Sequence, residues 1–168
     1  ELRRNAEDTS RQNNPDVRLR EVEEGDLELL LAWRSNELVH RHFTHQGAPL
    51  KWHQHWEWWK SRRHRKDWVI LLTDGTGVRR VGVANVGKLD QEVPEIGLYI
   101  GEVTLWGSGV GGKAVREVKS WLKQQGYRRC MAGIREGNGR SIKLFSGLGF
   151  HQVSVTEGGR RIYEADLA

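Results

Sequence analysis

The chain has 168 residues, 37% of them hydrophobic, with 27 Lys and Arg against 22 Asp and Glu for a formal charge of +5. That length suits one domain with a real core, and eight tryptophans offset the low apolar fraction because each ring buries a large area. The single cysteine, Cys130, excludes an internal disulfide framework and a cysteine-rich zinc site, and the basic balance suits an anionic ligand without singling out nucleic acid. No apolar run approaches the length of a membrane span and no secretory signal opens the chain, so a cytoplasmic protein is expected. The missing methionine at Glu1 is what a piece of a longer protein would show.

In chain order, residues 1–16 are polar without an apolar period and read as a disordered lead-in or linker, leaving 17–168 as a single folded domain. VRLREV from Val17 alternates as a strand, and Asp26 is placed to cap a helix carrying Leu27, Leu30, Leu31 and Arg34. A second helix follows Pro49, from Lys51 to about Arg63, with Trp52, Trp56 and Trp59 as its apolar stripe, of which Trp52 and Trp59 are expected in the core. The basic run from Ser61 to Lys66 closes that helix, where cations are favoured without any partner. Two strand-like runs, DWVILLTD and RRVGVANVGKL, flank the hairpin turn DGTG, and PEIGLYIG from Pro94 is the next strand. A long helix then carries Val110, Ala114, Val118, Trp121 and Leu122 until Gly126 stops it. RRCMAGI is a further strand with Cys130 in the core, a short helix starts at Asn138, and a hairpin around Gly158 and Gly159 ends the chain. The order βααβββαβαββ implies an α/β (α+β) fold, a mixed sheet with helices on both faces.

The segment LWGSGVGGKAV from Leu105 opens the long helix with glycines at 107, 109, 111 and 112. Such a turn lets the main chain approach a ligand, and the free amides and positive end of the helix favour an anion such as a diphosphate. Two rival readings fail. The string from Gly107 to Ala114 misses the nucleotide-triphosphate loop pattern GxxxxGK[ST] at Ala114, the position whose hydroxyl would ligate Mg²⁺. The dinucleotide fingerprint fails because the glycines run GxGxGG and no strand with a ribose-binding acid follows.

Together with NGRSIKLFSGLGF from Asn138 to Phe150, this loop resembles the Gcn5-related N-acetyltransferase (GNAT) family. The family's acetyl-coenzyme A loop, [QRW]xxGxG[GA], falls on Trp106, Gly109, Gly111 and Gly112, and its block NxxAxxLYxxxGF on Asn138, Ser141, Leu144, Phe145, Gly149 and Phe150. The resemblance implies a mostly antiparallel sheet of six to seven strands and a cofactor site of Leu98, Tyr99, Ile100, Trp106, Gly107, Ser108, Gly109, Val110, Gly111, Gly112, Asn138, Ser141 and Phe145. It implies acetyl-coenzyme A as co-substrate, no metal, and backbone amides around Leu98, Tyr99 and Ile100 that donate to the thioester carbonyl.

Strand alternation puts Glu95, Gly97 and Tyr99 on one face, which makes Glu95 either an acceptor of the amine proton or a partner of an arginine or solvent. The family's usual tyrosine acid is replaced by Phe145, so the leaving thiolate must be protonated by Tyr99, by water or by the substrate ammonium. The first two helices resemble acetyltransferases of the pseudaminic acid pathway, through the WR pair and a histidine 19 residues after Arg34. That resemblance makes Arg34, His53 and Trp56 the acceptor residues, with Arg34 on a diphosphate, His53 on a sugar or acting as base and Trp56 stacking. It makes a nucleotide-linked amino sugar the leading acceptor. A protein N-terminus, an aminoglycoside or polyamine, and a non-catalytic acyl-coenzyme A sensor remain as alternatives. Histidines 40, 42, 45, 53 and 55 invite a metal reading, but the segment's acids are only Glu37 and Glu57, and no metal is expected. The expected partner is a small-molecule amine, with neither nucleic acid nor membrane, for a monomer or homodimer.

Overall fold

A computed structural model describes residues 15–43 and 46–168, so the lead-in expected over 1–16 lies almost wholly outside the described residues. Seven strands form one sheet: β1 (Asp16–Glu21), β2 (Lys66–Asp74), β3 (Gly77–Gly87), β4 (Glu95–Ile100), β5 (Arg129–Arg135), β6 (His151–Val155) and β7 (Arg160–Asp166). The helices are α1 (Leu27–Ser35), α2 (Glu37–His40), α3 (Trp52–Ser61), α4 (Val110–Gln124) and α5 (Gly139–Gly147). The four-residue α2 is an α-helix that the expected order lacks; Asn36 caps it by accepting from the Leu38 amide at 3.0 Å.

The strands lie in the order β1-β2-β3-β4-β5-β7-β6. All neighbours are antiparallel except β4 and β5, which are parallel. Side chains of β2 alternate faithfully between two cores: Ile70 and Leu72 face α4 and α5, while Val69 and Leu71 face α1 and α3. On β3 a bulge opposite Ile70 and Leu71 inserts Val81, which joins the α4 side and whose carbonyl accepts from the amides of Gly101 and Glu102 at the end of β4.

The α4 face holds the larger core, with Val110, Ala114, Val115, Val118 and Leu122 fully buried against Ile70, Val86, Ile96 and Cys130. Burial pushes the Cys130 thiol up to about 11, so it stays protonated and inert, as a core residue should. The opposite core is smaller and more polar. Asp26 does not cap α1 as expected. Its carboxylate instead accepts the Glu23 amide at 2.8 Å, two bonds from Arg20 at 2.9 Å and one from Arg80 at 2.9 Å, tying the start of α1 to β1 and β3. Burial opposes the charge, but these donors outweigh it and hold the carboxyl down at about 2.

Candidate active site

β4 and β5 share a single register pair, Glu95 with Met131, secured by the Met131 amide donating to Pro94 O at 2.9 Å. Beyond it the strands part, and a cleft of about 1330 Å³ opens between them, roomier than the several hundred Å³ one small ligand occupies. On its other side β4 pairs with β3 along its whole length, and the Gly101 amide points that way, onto Val81 O. Amide direction alternates along a strand, so Tyr99 N–H also faces β3, whereas the amides of Leu98 and Ile100 face the gap. Of the three donors expected on β4, Leu98 and Ile100 are therefore directed at the cleft and Tyr99 is not. Trp106 marks the end of the gap, its indole N–H donating to Ile100 O at 2.9 Å.

The glycine loop lies along the same cleft. Gly107 and Gly109 have φ of +80° and +88°, a backbone that non-glycine residues resist, and Gly109 forms the N-cap of α4. The first helical bond runs from Lys113 N to Gly109 O, so the amides of Val110, Gly111 and Gly112 precede it and are available to an anion. A Cβ on Gly111 would stand 2.9 Å from Leu144 Cδ1, so glycine there lets α5 pack against the head of α4. Gly107, Gly109, Gly111 and Gly112 line the cleft, while the Val110 side chain is in the core and the Ser108 hydroxyl turns back onto Leu105 O. Arg140 stacks on Trp106, 3.7 Å from its ring centroid, and Arg116 and Lys143 add further cations on this side. A parted strand edge, a glycine-capped helix head and surrounding cations fit the thioester arm and diphosphate of acetyl-coenzyme A.

Asn138 caps α5, accepting from Ser141 N at 3.4 Å and donating to Ser141 Oγ at 3.0 Å, and both residues line the cleft. Phe145 reaches the cleft wall from the core, where it meets Phe150 edge-on at 5.0 Å. Glu95 pairs with Lys88 at 3.0 Å and with Arg160, whose guanidinium lies across Gly133. The structure thus places Glu95 with an arginine, one of its two expected settings. Tyr99 faces the α1 side, against Phe43 at 5.3 Å and edge-on to Trp33. Burial drives its phenol well above the usual range, with Arg34 opposing.

The acceptor wall departs most from expectation. Arg34 lines the cleft, but His53 is exposed on α3 and neither it nor Trp56 lines the cleft; Trp56 stacks on the half-exposed Trp52. His55 is fully buried and Trp56, Trp58 and Trp59 pack against the smaller core, whereas Trp52 is not a core residue as expected. Trp58, not Trp56, is the α3 tryptophan that lines the cleft, beside Arg34, Arg62 and Arg65, and His55 stacks on it at 5.3 Å. The basic run is not a free helix end either, because Arg62 and Arg65 both grip the buried Asp67. Gln46, His55 and Arg160 were not legible in the sequence, since each matters through a partner on another element. Among the described residues these histidines do not gather: His40 is buried without a hydrogen-bond partner there, His42 lines the cleft, His53 is exposed and His55 sits behind Arg34, while His45 lies outside the described residues.

Comparison with known proteins bears on the fold and the family. The uncharacterized protein MJ1062 of Methanocaldococcus jannaschii is 47% identical over 149 residues, which are 89% of this chain and 31% of that protein, so the chain spans about a third of its relative. A crystal structure of a domain from the same organism superposes with a TM-score of 0.88 at 45% identity, covering 91% of this chain and 99% of that one. An N-acetyltransferase from Staphylococcus aureus shares the fold at 22% identity (TM-score 0.74, 91% and 99% covered). So does the aminoglycoside acetyltransferase AAC(6')-Ib with ribostamycin and coenzyme A, at 18% identity (TM-score 0.77, 90% and 93% covered). Residues 16–151 match the family model "Acetyltransferase (GNAT) domain", and the chain belongs to that family.

Proposed function

We propose that this domain moves the acetyl group of acetyl-coenzyme A to the primary amine of a small molecule. The observation that carries the reading is the parting of β4 from β5 after one register pair, beside the glycine-capped head of α4. The amides of Val110, Gly111 and Gly112 hold the diphosphate, and those of Leu98 and Ile100 meet the thioester arm, one of them donating to the carbonyl oxygen as charge develops there.

The amine enters from the α1–α3 side and attacks the thioester carbon; the C–N bond forms, the C–S bond breaks and the thiolate leaves. A neutral amine gives up one proton and the thiolate takes one, so the step balances without a dedicated acid. That suits a site in which Phe145 has no proton to give and the Tyr99 phenol holds its own too tightly, leaving Tyr99 as a hydrogen-bond donor. Glu95, engaged by Lys88 and Arg160, anchors those cations, and the amine proton leaves through water in the open cleft.

The acceptor we favour is a nucleotide-linked amino sugar. Arg34, Arg63, Arg65, Arg135 and Arg160 line the acceptor half with Asp67 and Glu95 as its acids, an excess of positive charge that repels polycations and attracts a diphosphate. Thermal unfolding with coenzyme A, acetyl-coenzyme A and Mg·ATP tests the first half of the reading. Saturating ligand adds roughly 2.7 kcal/mol at a hundredfold excess over Kd, and both coenzyme A forms should shift the midpoint while ATP does not. An amine panel of nucleotide amino sugars, aminoglycosides and spermidine then tests the second. Binding with no transfer to any amine would make the domain an acyl-coenzyme A sensor.

A further inference from the structure

Arg34 is the cation of this cleft whose surroundings are least explained by stability. The buried carboxylates of Asp26 and Asp67 each take two arginines, yet no ion pair among the described residues includes Arg34. Its partners are uncharged. Nε donates to Gln46 Oε1 at 3.3 Å, Nη1 faces His55 Nδ1 at 3.5 Å, and Trp58 lies 5.3 Å from its central carbon.

Both partners are locked from behind. His55 is fully buried and its Nε2 stands 3.0 Å from Leu27 O, which can only accept, so Nε2 carries the proton and Nδ1 offers a lone pair to Arg34. The Gln46 amide donates to Arg34 O at 2.6 Å and Ala48 O at 2.9 Å, which turns its Oε1 toward the guanidinium. Two buried polar side chains are thus committed to orienting one guanidinium whose charge they leave uncancelled.

We propose that His55 and Gln46 are positioning residues that hold Arg34 as an unneutralised cation at the cleft wall, where it receives an anionic group, carboxylate or phosphate, of the acceptor amine. The inference rests on the acetyl-transfer reading for its second substrate, and Trp58 bounds the subsite on one side. Arg34 faces Tyr99 from β4, Asp67 from β2 and Arg65 just before that strand, and it is the charged group that faces His55. Protonating His55 would set a second cation beside Arg34 and turn its acceptor nitrogen into a donor. Burial and Arg34 both keep the imidazole neutral below its usual range. Acceptor binding should therefore weaken in acid while coenzyme A binding, built on amides of the glycine loop, does not.

The test uses the whole chain saturated with coenzyme A, with inorganic sulfate as the probe because its charge is constant from pH 5 to 8, followed by the acetylated amine once found. Sulfate should bind with wild type, and Arg34→Gln should weaken it about tenfold or more while leaving coenzyme A affinity within about twofold. His55→Ala should raise the acceptor KM by a similar factor with kcat nearly constant. His55→Gln, which keeps a lone pair for Arg34 and a donor for Leu27 O, should restore most of the loss and flatten the acid dependence of KM. Gln46→Glu should neutralise Arg34 and weaken sulfate, with some loss of stability because a carboxylate oxygen then faces Arg34 O and Ala48 O, which the Gln46 amide serves. Equal effects of His55→Ala and His55→Gln, or sulfate binding indifferent to Arg34, would overturn the proposal. Sulfate binding lost with Arg34 in a protein that acetylates nothing would leave the subsite standing and remove the transfer reading.

Discussion

The two walls of the cleft are held by different physics. Along β4 and the heads of α4 and α5 the groups offered to the cleft are main-chain amides, aimed by strand alternation and by the left-handed turns at Gly107 and Gly109. Across the gap, from α1 to the start of β2, they are side chains kept in place by other side chains: Arg34 by His55 and Gln46, Arg62 and Arg65 by Asp67. A wall of amides is insensitive to pH and tolerates surface substitution; a wall of side chains that hold one another is adjustable, and breaks when one member is removed.

The largest effect is expected at Asp26, the ionic anchor beneath the acceptor wall. Asp26→Ala leaves Arg20 and Arg80 facing each other without their common carboxylate, and because both arginines keep more than a third of their side chains in water the loss is about 1 to 3 kcal/mol. Urea unfolding measures the loss. At concentrations where the variant stays folded, the acceptor KM should suffer more than coenzyme A affinity, and the reverse would mean that the two walls are not separately supported. The linkage has a definite sign: the carboxyl sits at about 2 in the fold against 3.8 unfolded, so its contribution is complete above pH 3.8 and disappears as the pH falls toward 2. For His55 the folded value is lowered, so its contribution is complete above 6.5 and declines below it.

Gly109→Val attacks the other wall. A Cβ there meets nothing within 4 Å, but φ of +88° strains any branched side chain by roughly 1 to 2 kcal/mol, and relief of that strain would rotate the helix-head amides. Coenzyme A affinity should fall about tenfold or more, with acceptor-side sulfate binding unchanged. A variant that binds coenzyme A normally would remove the glycine loop from the diphosphate.

This contrast also explains what the sequence made legible. Glycines at 107, 109, 111 and 112 and the Asn138 cap are local requirements of a backbone shape, so the glycine turn, the helices that it and Asn138 open and the β4 strand were readable from spacing, and the family resemblance proposed a cofactor for them. The acceptor wall was not. Tryptophans at 52, 56, 58 and 59 surround α3 on most sides, so no single stripe stands out, and the face that turns inward is the one bearing His55, because Arg34 and Leu27 O lie there to receive it. Arg160 was hidden for the same reason, since it matters only by crossing Gly133 to Glu95 on a strand far away in sequence.

Glu95→Gln is a smaller, sharper probe of where the walls meet. A general base contributes on the order of a hundredfold or more, whereas an anchor for Lys88 and Arg160 should cost less than about tenfold in kcat and leave the shape of the pH profile intact. Loss of the profile's acid limb would restore Glu95 as proton acceptor.

The smallest effect is expected at Phe145, where the chain departs from the family pattern. Its ring is packed edge-on against Phe150 and reaches the cleft wall, so Phe145→Tyr adds one hydroxyl at the boundary between core and site. Facing the cleft, that hydroxyl is solvated and the fold should lose less than about 1 kcal/mol; facing the core, it would be buried without a partner and cost about 1 to 3 kcal/mol. An essential acid is worth about a hundredfold or more, but the amine's own proton already balances the thiolate, so kcat should rise by less than about tenfold. A larger rise, with coenzyme A affinity unchanged, would mean that protonation of the leaving group limits the reaction and that the acceptor's proton does not reach it.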